Sequence, residues 1–500
     1  MRNIVSLLCS IMLFSCAKHN ESSADSILEI YETNAQGALM RKITPSAATA
    51  NAIEIKVNPN IEFQKIIGFG GAMTESSAHL ITQLEKELQD QILEAYFSEN
   101  EANYSLVRTH INSSDFSLRS YAYVEDSLDI ELESFTIKED ADDIIPMLKK
   151  AQNISANGFK ILASPWTAPP YMKDNNSWFG GKLLSKYYST WALYLAKYML
   201  EYQKVGLPIW GLTIENEPMG NDSNWESMHF TPLEMSTFVK NNLDPVLRKF
   251  HLDPELYVFD QNKGEGLEEW SEVLLKDHEL LPLIEGTAVH WYESTYKVYA
   301  NSLQKTHELA PNKSIIHSEA CIDAEIPVWG NDAWYWEKKA TDWGWDWAPD
   351  EKKVDHPKYS PVIRYANDII GCMNNWVSAW IDWNMVLDPQ GGPNHAKNWC
   401  VAPIIADTIK QELYITPLYY VMSHFSRFIP PNSRRIMWEL PQNELKMTAF
   451  KTPEKDIVVV LFNESENEMN YVISLENTKV NAQLSSHALQ TVVIKHKDEE

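Results

Sequence analysis

Along most of the chain, short β-rich apolar runs alternate with longer stretches whose apolar positions recur at helical spacing. The runs lie at residues 65–70, 104–110, 160–165, 209–214, 256–260, 286–290, 314–317 and 377–381. Between them, Leu184, Tyr188, Trp191, Leu195, Tyr198, Met199 and Tyr202 fall on one helical face, and Leu80, Leu84, Leu88 and Ile92 on another. Eight strand–helix alternations predict an α/β fold, a (β/α)8 TIM barrel over residues 65–428. After Phe428-Ile429-Pro430-Pro431 the pattern becomes short strands, at 435–440, 445–450, 457–462, 471–475 and 489–494. Two more, at 27–31 and 53–57, precede the barrel. Segments 26–64 and 429–500 together predict an accessory β-sandwich built from both chain ends.

Residues 1–25 read as a targeting segment and tether. Arg2 supplies a positive start, and residues 4–14 form an apolar run interrupted by Ser6, Cys9 and Ser10 that is too short to span a bilayer. It ends in Leu13-Phe14-Ser15-Cys16, which resembles a bacterial lipobox, with a small residue before Cys16. This predicts a lipidated Cys16, membrane association through that anchor, and a place in the cell envelope facing the periplasm or the outside. The alternative is ordinary signal-peptide cleavage beside a coincidental cysteine. The remaining thiols, Cys321, Cys372 and Cys400, are scattered and match neither a disulfide framework nor a metal-binding spacing, so they read as buried small hydrophobes.

Composition narrows the function. With 500 residues, 44% of them hydrophobic, the chain has room for a large core and a smaller partner domain. The 69 acidic against 43 basic residues, a formal charge of −26, disfavour phosphate backbones and therefore nucleic acid, and suit a neutral substrate. The 18 Trp and 22 Tyr offer flat faces for stacking, although a large core accounts for many of them. No feature demands a cofactor or a metal.

The candidate chemistry gathers at the strand ends. Strand two leads into Arg108, His110 and Asp115, strand three ends at Trp166, and strand four ends in Asn216-Glu217. Strand six ends in His290-Trp291-Tyr292, strand seven at Glu319, and strand eight in Asp382-Trp383-Asn384. The C-terminal strand ends are the face on which barrels build active sites. Glycosidic cleavage needs two carboxyl groups, one to protonate the departing oxygen and one to attack the anomeric carbon or activate water. Residues after strands four and seven face each other across a barrel mouth, which selects Glu217 as acid/base and Glu319 as nucleophile. Glu217 is expected to be protonated, its pKa raised by burial and by the Glu319 carboxylate. Arg108 is placed to keep Glu319 ionised, Tyr292 to donate a hydrogen bond to it, and Asn216 to bond a sugar hydroxyl, that at C2. About sixty residues separate Glu319 from strand eight, and Trp329, Trp334, Trp336, Trp343, Trp345 and Trp347 lie among them. They either wall the pocket and stack on sugar rings or pack a small core of the insertion's own.

These stretches resemble glycoside hydrolase family 30, which includes glucosylceramidases and endo-β-1,6-glucanases. The resemblance runs from about Gln64 to the C-terminus. It rests on Gln64-Lys65-Ile66-Ile67-Gly68-Phe69-Gly70-Gly71-Ala72-Met73-Thr74-Glu75, Asp115-Phe116-Ser117, Ala163-Ser164-Pro165-Trp166-Thr167 and Glu215-Asn216-Glu217-Pro218. It continues through Ala288-Val289-His290-Trp291-Tyr292, Ser318-Glu319-Ala320-Cys321, Asp382-Trp383-Asn384 and Gly391-Gly392-Pro393-Asn394. The resemblance implies a barrel with a side β-sandwich, no metal, and a retaining two-glutamate mechanism on Glu217 and Glu319. It also implies sugar-binding roles for Asp115, Trp166, Asn216, Trp383 and Asn398, beside His290 and Tyr292. The insertion after Cys321 is longer than the corresponding loop of the lysosomal member, which leaves the leaving group open. A β-glucoside, a glucan or a glycolipid each fits: a glucosylceramidase-like β-glucosidase, an endo-β-1,6-glucanase, or, remotely, a glycan-binding lipoprotein that no longer catalyses.

Overall fold

Eight parallel strands close into a barrel in the computed structural model, which describes residues 28–46, 51–220, 222, 224–341, 349–355, 358–441, 445–476 and 478–496. They are Gly68–Ala72, Leu106–Ile111, Lys160–Pro165, Ile209–Thr213, Glu255–Asn262, Gly286–His290, Ser314–Glu319 and Val377–Asp382. The eighth pairs with the first, Trp380 opposite Phe69, and closes the ring. Leu106, Leu162, Tyr257, Ala288, Ile316, Ala379 and Ile381 fill its interior as one apolar cluster, so the barrel is a packed core and not a pore. Outside, the helix Tyr188–Lys204 buries Trp191, Leu195, Tyr198, Met199 and Tyr202. This is the stripe that its spacing predicts.

The first strand differs from its expected bounds. Lys65 ends a long strand of the other domain, Ile53–Lys65, and the barrel strand begins only at Gly68. Residues 66 and 67 cross between the two, with Ile66 N–H bonded to Ser433 O and Ile67 N–H to Ser378 O. The stripe over Leu80 to Ile92 is likewise two helices, Glu75–Thr82 and Lys86–Phe97, with Leu84 in the turn between. There Glu85 N–H donates to the Gln411 side chain, a tertiary cap with no local signal.

The second domain is a nine-stranded sheet drawn from both chain ends. Its order is Arg41–Ile43, Leu28–Asn34, Ala488–Ile494, Ile457–Asn463, Lys446–Lys451, Arg434–Glu439, Ile53–Lys65, Met469–Leu475 and Thr478–Leu484. Arg41–Ile43 and Thr478–Leu484 carry no expectation from the sequence, and Ile27 lies outside the described residues. The sheet folds back on itself. Gln490, on the third strand in this order, donates to Gln483 O on the ninth, and Ile30, Ile55, Ile436, Val459, Ile473 and Val492 are buried between the faces. Buried His424, in the last barrel helix Pro417–Ser426, joins the domains through Thr33 Oγ1 at 2.9 Å and Thr491 Oγ1 at 2.8 Å. Among the described residues no helix is long and apolar enough to cross a membrane. Cys16 and the rest of the leader lie outside the described residues.

Candidate active site

Strand four ends where its backbone can turn. Asn216 N–H bonds Pro165 O at the end of strand three, and Glu217 N–H bonds Asp260 O on strand five. Glu217 itself has φ 48°, a left-handed conformation uncommon for a side chain of its size. A turn closed by Gly220 N–H to Glu217 O follows. The Glu217 carboxylate is thereby lifted toward the rim and keeps 20% of its side-chain surface, against 8% for Glu319. The expected burial thus belongs to Glu319 more than to Glu217.

Strand seven brings Glu319 to the opposite side. Arg108, buried under the site, pairs with Glu319 Oε2, and Tyr292 Oη donates to Glu319 Oε1 at 3.1 Å. Each carboxylate oxygen therefore has a donor. Burial pushes Glu319 up, while His290 and Arg108 draw it back toward the charged form. The same guanidinium donates to Asn216 Oδ1 at 2.8 Å, to Asp260 Oδ2 at 2.9 Å and to Ser164 Oγ at 3.1 Å. It lies 4.9 Å from the Trp166 ring and 5.6 Å from the Trp383 ring, which stack on each other at 5.2 Å.

His290 lies behind the carboxylates. It is fully buried, with Nδ1 3.1 Å from Glu217 Oε1 and Nε2 3.0 Å from Asp260 Oδ1. Both ring nitrogens are thus engaged by carboxylates, partners that the sequence reading of His290 did not include. Burial opposes its charge, but Glu319 and Asp260 outweigh that and push His290 up to about 9. Burial also opposes charge on Asp260, yet Arg108 and His290 hold it well below the usual carboxylate range.

Asp115 and Asn398 form a second group, with Asn398 Nδ2 donating to Asp115 Oδ2 at 3.0 Å. Burial, then Glu319, pushes Asp115 up, so it lies within electrostatic reach of the glutamate pair. Phe116, Trp166, Trp383, Cys321 and Cys400 make one apolar cluster with Tyr292 against it. The expected residues Arg108, Asp115, Trp166, Asn216, Glu217, His290, Tyr292, Glu319, Trp383 and Asn398 are thus brought together by direct contacts or by this shared cluster. A carboxylate oxygen of Glu217, one of Glu319 and a His290 nitrogen all lie within 4.8 Å of one another.

Of the Trp-rich insertion, three tryptophans fall among the described residues. Trp334 and Trp336 pack against the barrel's own core, and Trp329 lies 5.8 Å from Tyr414 under Lys410. Trp343, Trp345 and Trp347 lie outside the described residues. Two residues went unread in the sequence. Asp260 stands at the end of strand five, where the strand-end rule that selected the others would have found it. Ser318, beside Glu319, donates to Asp260 Oδ1 at 2.5 Å. Among the described residues two triads could offer ligands to a metal: His317, Asp368 and Cys372, of which Asp368 and Cys372 contact the ammonium of Lys263, and Glu217, His290 and Glu319.

The comparisons agree with this geometry. Residues 66–429 match the glycosyl hydrolase family 30 TIM-barrel domain, and residues 432–492 match the family 30 beta sandwich domain. The chain is 32% identical to lysosomal acid glucosylceramidase of Mus musculus over 458 residues, covering 89% of this chain and 84% of that one. It is 25% identical to an endo-1,6-beta-D-glucanase of Neurospora crassa over 437 residues, covering 85% and 83%. The crystal structure of SrfJ from Salmonella typhimurium superposes with a TM-score of 0.82 at 28% identity, covering 94% of this chain and all of that one. A family match across both domains, on a barrel whose mouth gathers paired carboxylates and stacked tryptophans, places this chain in glycosyl hydrolase family 30.

Proposed function

We propose that this hydrolase cleaves β-glucosidic bonds with retention of configuration, Glu319 acting as nucleophile and Glu217 as acid and base. The meeting of the two carboxylates across the barrel mouth carries the reading, one oxygen of each lying within 4.8 Å of the other, with no room between those oxygens for a bridging water in line. Carboxyl groups about 5–5.5 Å apart suit direct attack, whereas inverting pairs stand about 6.5–9.5 Å apart to admit a water. In the first step a Glu319 oxygen bonds the anomeric carbon as the bond to the leaving oxygen breaks and Glu217 gives that oxygen its proton. In the second, Glu217 takes a proton from water, the water oxygen bonds the anomeric carbon, and the glucosyl ester to Glu319 breaks. Arg108 and Tyr292 hold the two Glu319 oxygens in place for attack. His290, charged to about pH 9 and 3.1 Å from Glu217, is the neighbouring store of a proton.

Asp115, Asn398, Trp166 and Trp383 would hold the glucosyl ring. Asn216 spends its oxygen on Arg108, which leaves its amide N–H groups for the C2 hydroxyl. For the substrate, the preferred reading is a glucosylceramidase-like β-glucosidase, supported by the 32% identity to the mouse enzyme. The second reading, an endo-β-1,6-glucanase, is supported by the Neurospora crassa relative. The deciding experiment is a product time course on linear β-1,6-glucan with the Glu319→Gln protein as blank. An early ladder of oligosaccharides establishes the glucanase. Glucose alone or no product, followed by turnover of glucosylceramide, establishes the glucosidase, and release of the β-anomer first establishes retention. A lipid anchor on Cys16 rests on the sequence at residues 13–16. Incorporation of labelled fatty acid by the native chain but not by Cys16→Ser is the expected result.

A further inference from the structure

Cys321 and Cys400 stand 79 residues apart in the chain, yet their sulfurs are 3.2 Å apart. One thiol lies just past strand seven and the other in the loops after strand eight, and both are buried in the apolar cluster that holds Trp166 and Trp383. The backbone around them is already tied, Ile322 opposite Val401 and Asp323 opposite Cys400 in a two-stranded ladder. Cys372 is set apart from this pair, with its sulfur beside Lys263 Nζ and Asp368. The sequence alone offered scattered thiols, and the fold pairs two of them.

We propose that Cys321 and Cys400 are a disulfide-forming pair, oxidised by exchange with a small-molecule disulfide, that clamps the segment following Glu319 to the segment carrying Asn398. A disulfide spans about 2.05 Å, so the sulfurs need approach by only about 1 Å between segments already held side by side. In the exchange, one cysteine thiolate attacks the external disulfide and expels one small thiolate. The second cysteine thiolate then attacks the mixed disulfide, forms the Cys321–Cys400 bond and expels the other. The two protons given up by the cysteines end on the two small thiols released. The bond closes a long loop that contains the Trp-rich insertion, the helix Pro361–Asn374 and strand eight. Cross-linking so long a segment restricts the unfolded chain strongly. Tyr292 Oη stands 3.5 Å from Cys321 Sγ and 3.1 Å from Glu319, so the clamp lies directly beside the candidate nucleophile's support.

Burial raises Cys321 to about 11 and pushes Cys400 well up from its ordinary value, which keeps thiolate scarce in the folded protein. The exchange is therefore expected to be fast during folding and slow in the native state. The test uses the full-length chain, purified with reductant, then equilibrated natively and, separately, refolded in glutathione buffers of stepped oxidised-to-reduced ratio. Free thiols are blocked with iodoacetamide, and peptides are mapped by mass spectrometry without reduction. The expected result is a peptide pair joined through Cys321 and Cys400 with Cys372 alkylated. The thermal midpoint should be higher than that of the reduced protein, by an increment absent from Cys400→Ser. Alkylation of both cysteines at every ratio, in both the native and the refolded samples, overturns the pairing. A bond that forms without raising the midpoint overturns the clamp.

Discussion

Asp260 ties the site together at the scale of single residues. Its backbone oxygen receives Glu217 N–H, one carboxylate oxygen receives Arg108, and the other receives His290 and Ser318. Replacing a buried ion-pair partner leaves charges stranded. Asp260→Asn is therefore expected to destabilise by about 3 kcal/mol in denaturant titration. It should also shift the alkaline limb of the pH–rate profile to lower pH, because His290 loses one of the carboxylates that keep it charged. Tyr292→Phe removes one hydrogen bond to a charged Glu319 oxygen and leaves the ring packed. A loss of about 10-fold in kcat, near 1.5 kcal/mol, with the thermal midpoint little changed, is the outcome to look for. The strand-end position of Asp260 was legible, but its partners were not, because they depend on backbone that the sequence does not announce. Phe259 and Asp260 are consecutive left-handed residues, φ 75° and 53°, at an irregularity between strands five and six, and neither is the Gly or Asn that usually marks such positions.

At the scale of elements, the barrel imposes requirements that differ sharply from one place to the next. Strand one passes so close to strand two that a Cβ on Gly70 would stand 1.8 Å from the Leu106 carbonyl oxygen. Gly70→Ala must push strand two away, at a cost of about 3 kcal/mol or more, seen as lost soluble yield and a lowered midpoint. The helix Pro232–Phe238 is an ordinary element by contrast. Thr231 and Glu234 form a reciprocal capping box at its start, with neither side chain in contact with Glu217 or Glu319 among the hydrogen bonds of the site. Thr231→Ala should cost about 1 kcal/mol in stability and nothing in activity. Strands and helices were legible where periodicity decided them, as in Tyr188–Lys204. The bounds failed where tertiary partners decided, as at Lys65, which the second domain takes into its own sheet, and at Glu85, capped by a side chain from residue 411.

At the scale of the whole molecule, the two domains and the charge network share one pH response. His290, raised to about 9, adds stability that is complete below its ordinary value near 6.5 and is lost as pH climbs through 9. Asp140 and Asp143, raised to about 7 chiefly by burial, have largely finished titrating by pH 8. Lys173, lowered to about 8 chiefly by burial, acts in the opposite sense above that pH. A thermal midpoint that falls between pH 7 and 9 is expected, with a shallower fall in His290→Asn; equal slopes in both proteins would remove His290 as the cause. On the acid side, burial lowers His424 to about 3, so it remains neutral between Thr33 and Thr491. Its penalty on the folded state grows as pH falls below about 6.5 toward 3, loosening the joint between barrel and sandwich.

The sequence by itself determined the architecture, the family, and which strand ends share the barrel mouth. Apolar periodicity is a local property that the chain carries without help, and eight repeats of it admit few folds other than a barrel with a second sheet. Glu217 and Glu319 could be paired because barrel geometry sends strand ends four and seven to one mouth whatever lies between. Tertiary structure alone decided what depends on contacts between distant segments. It set His290 between two carboxylates, made Asp260 the anchor of Arg108, and set the tryptophans at 329, 334 and 336 against the protein's own body. It also brought two thiols 79 residues apart into contact. Such pairings follow from where the folded backbone runs, and residue type and local spacing do not encode them.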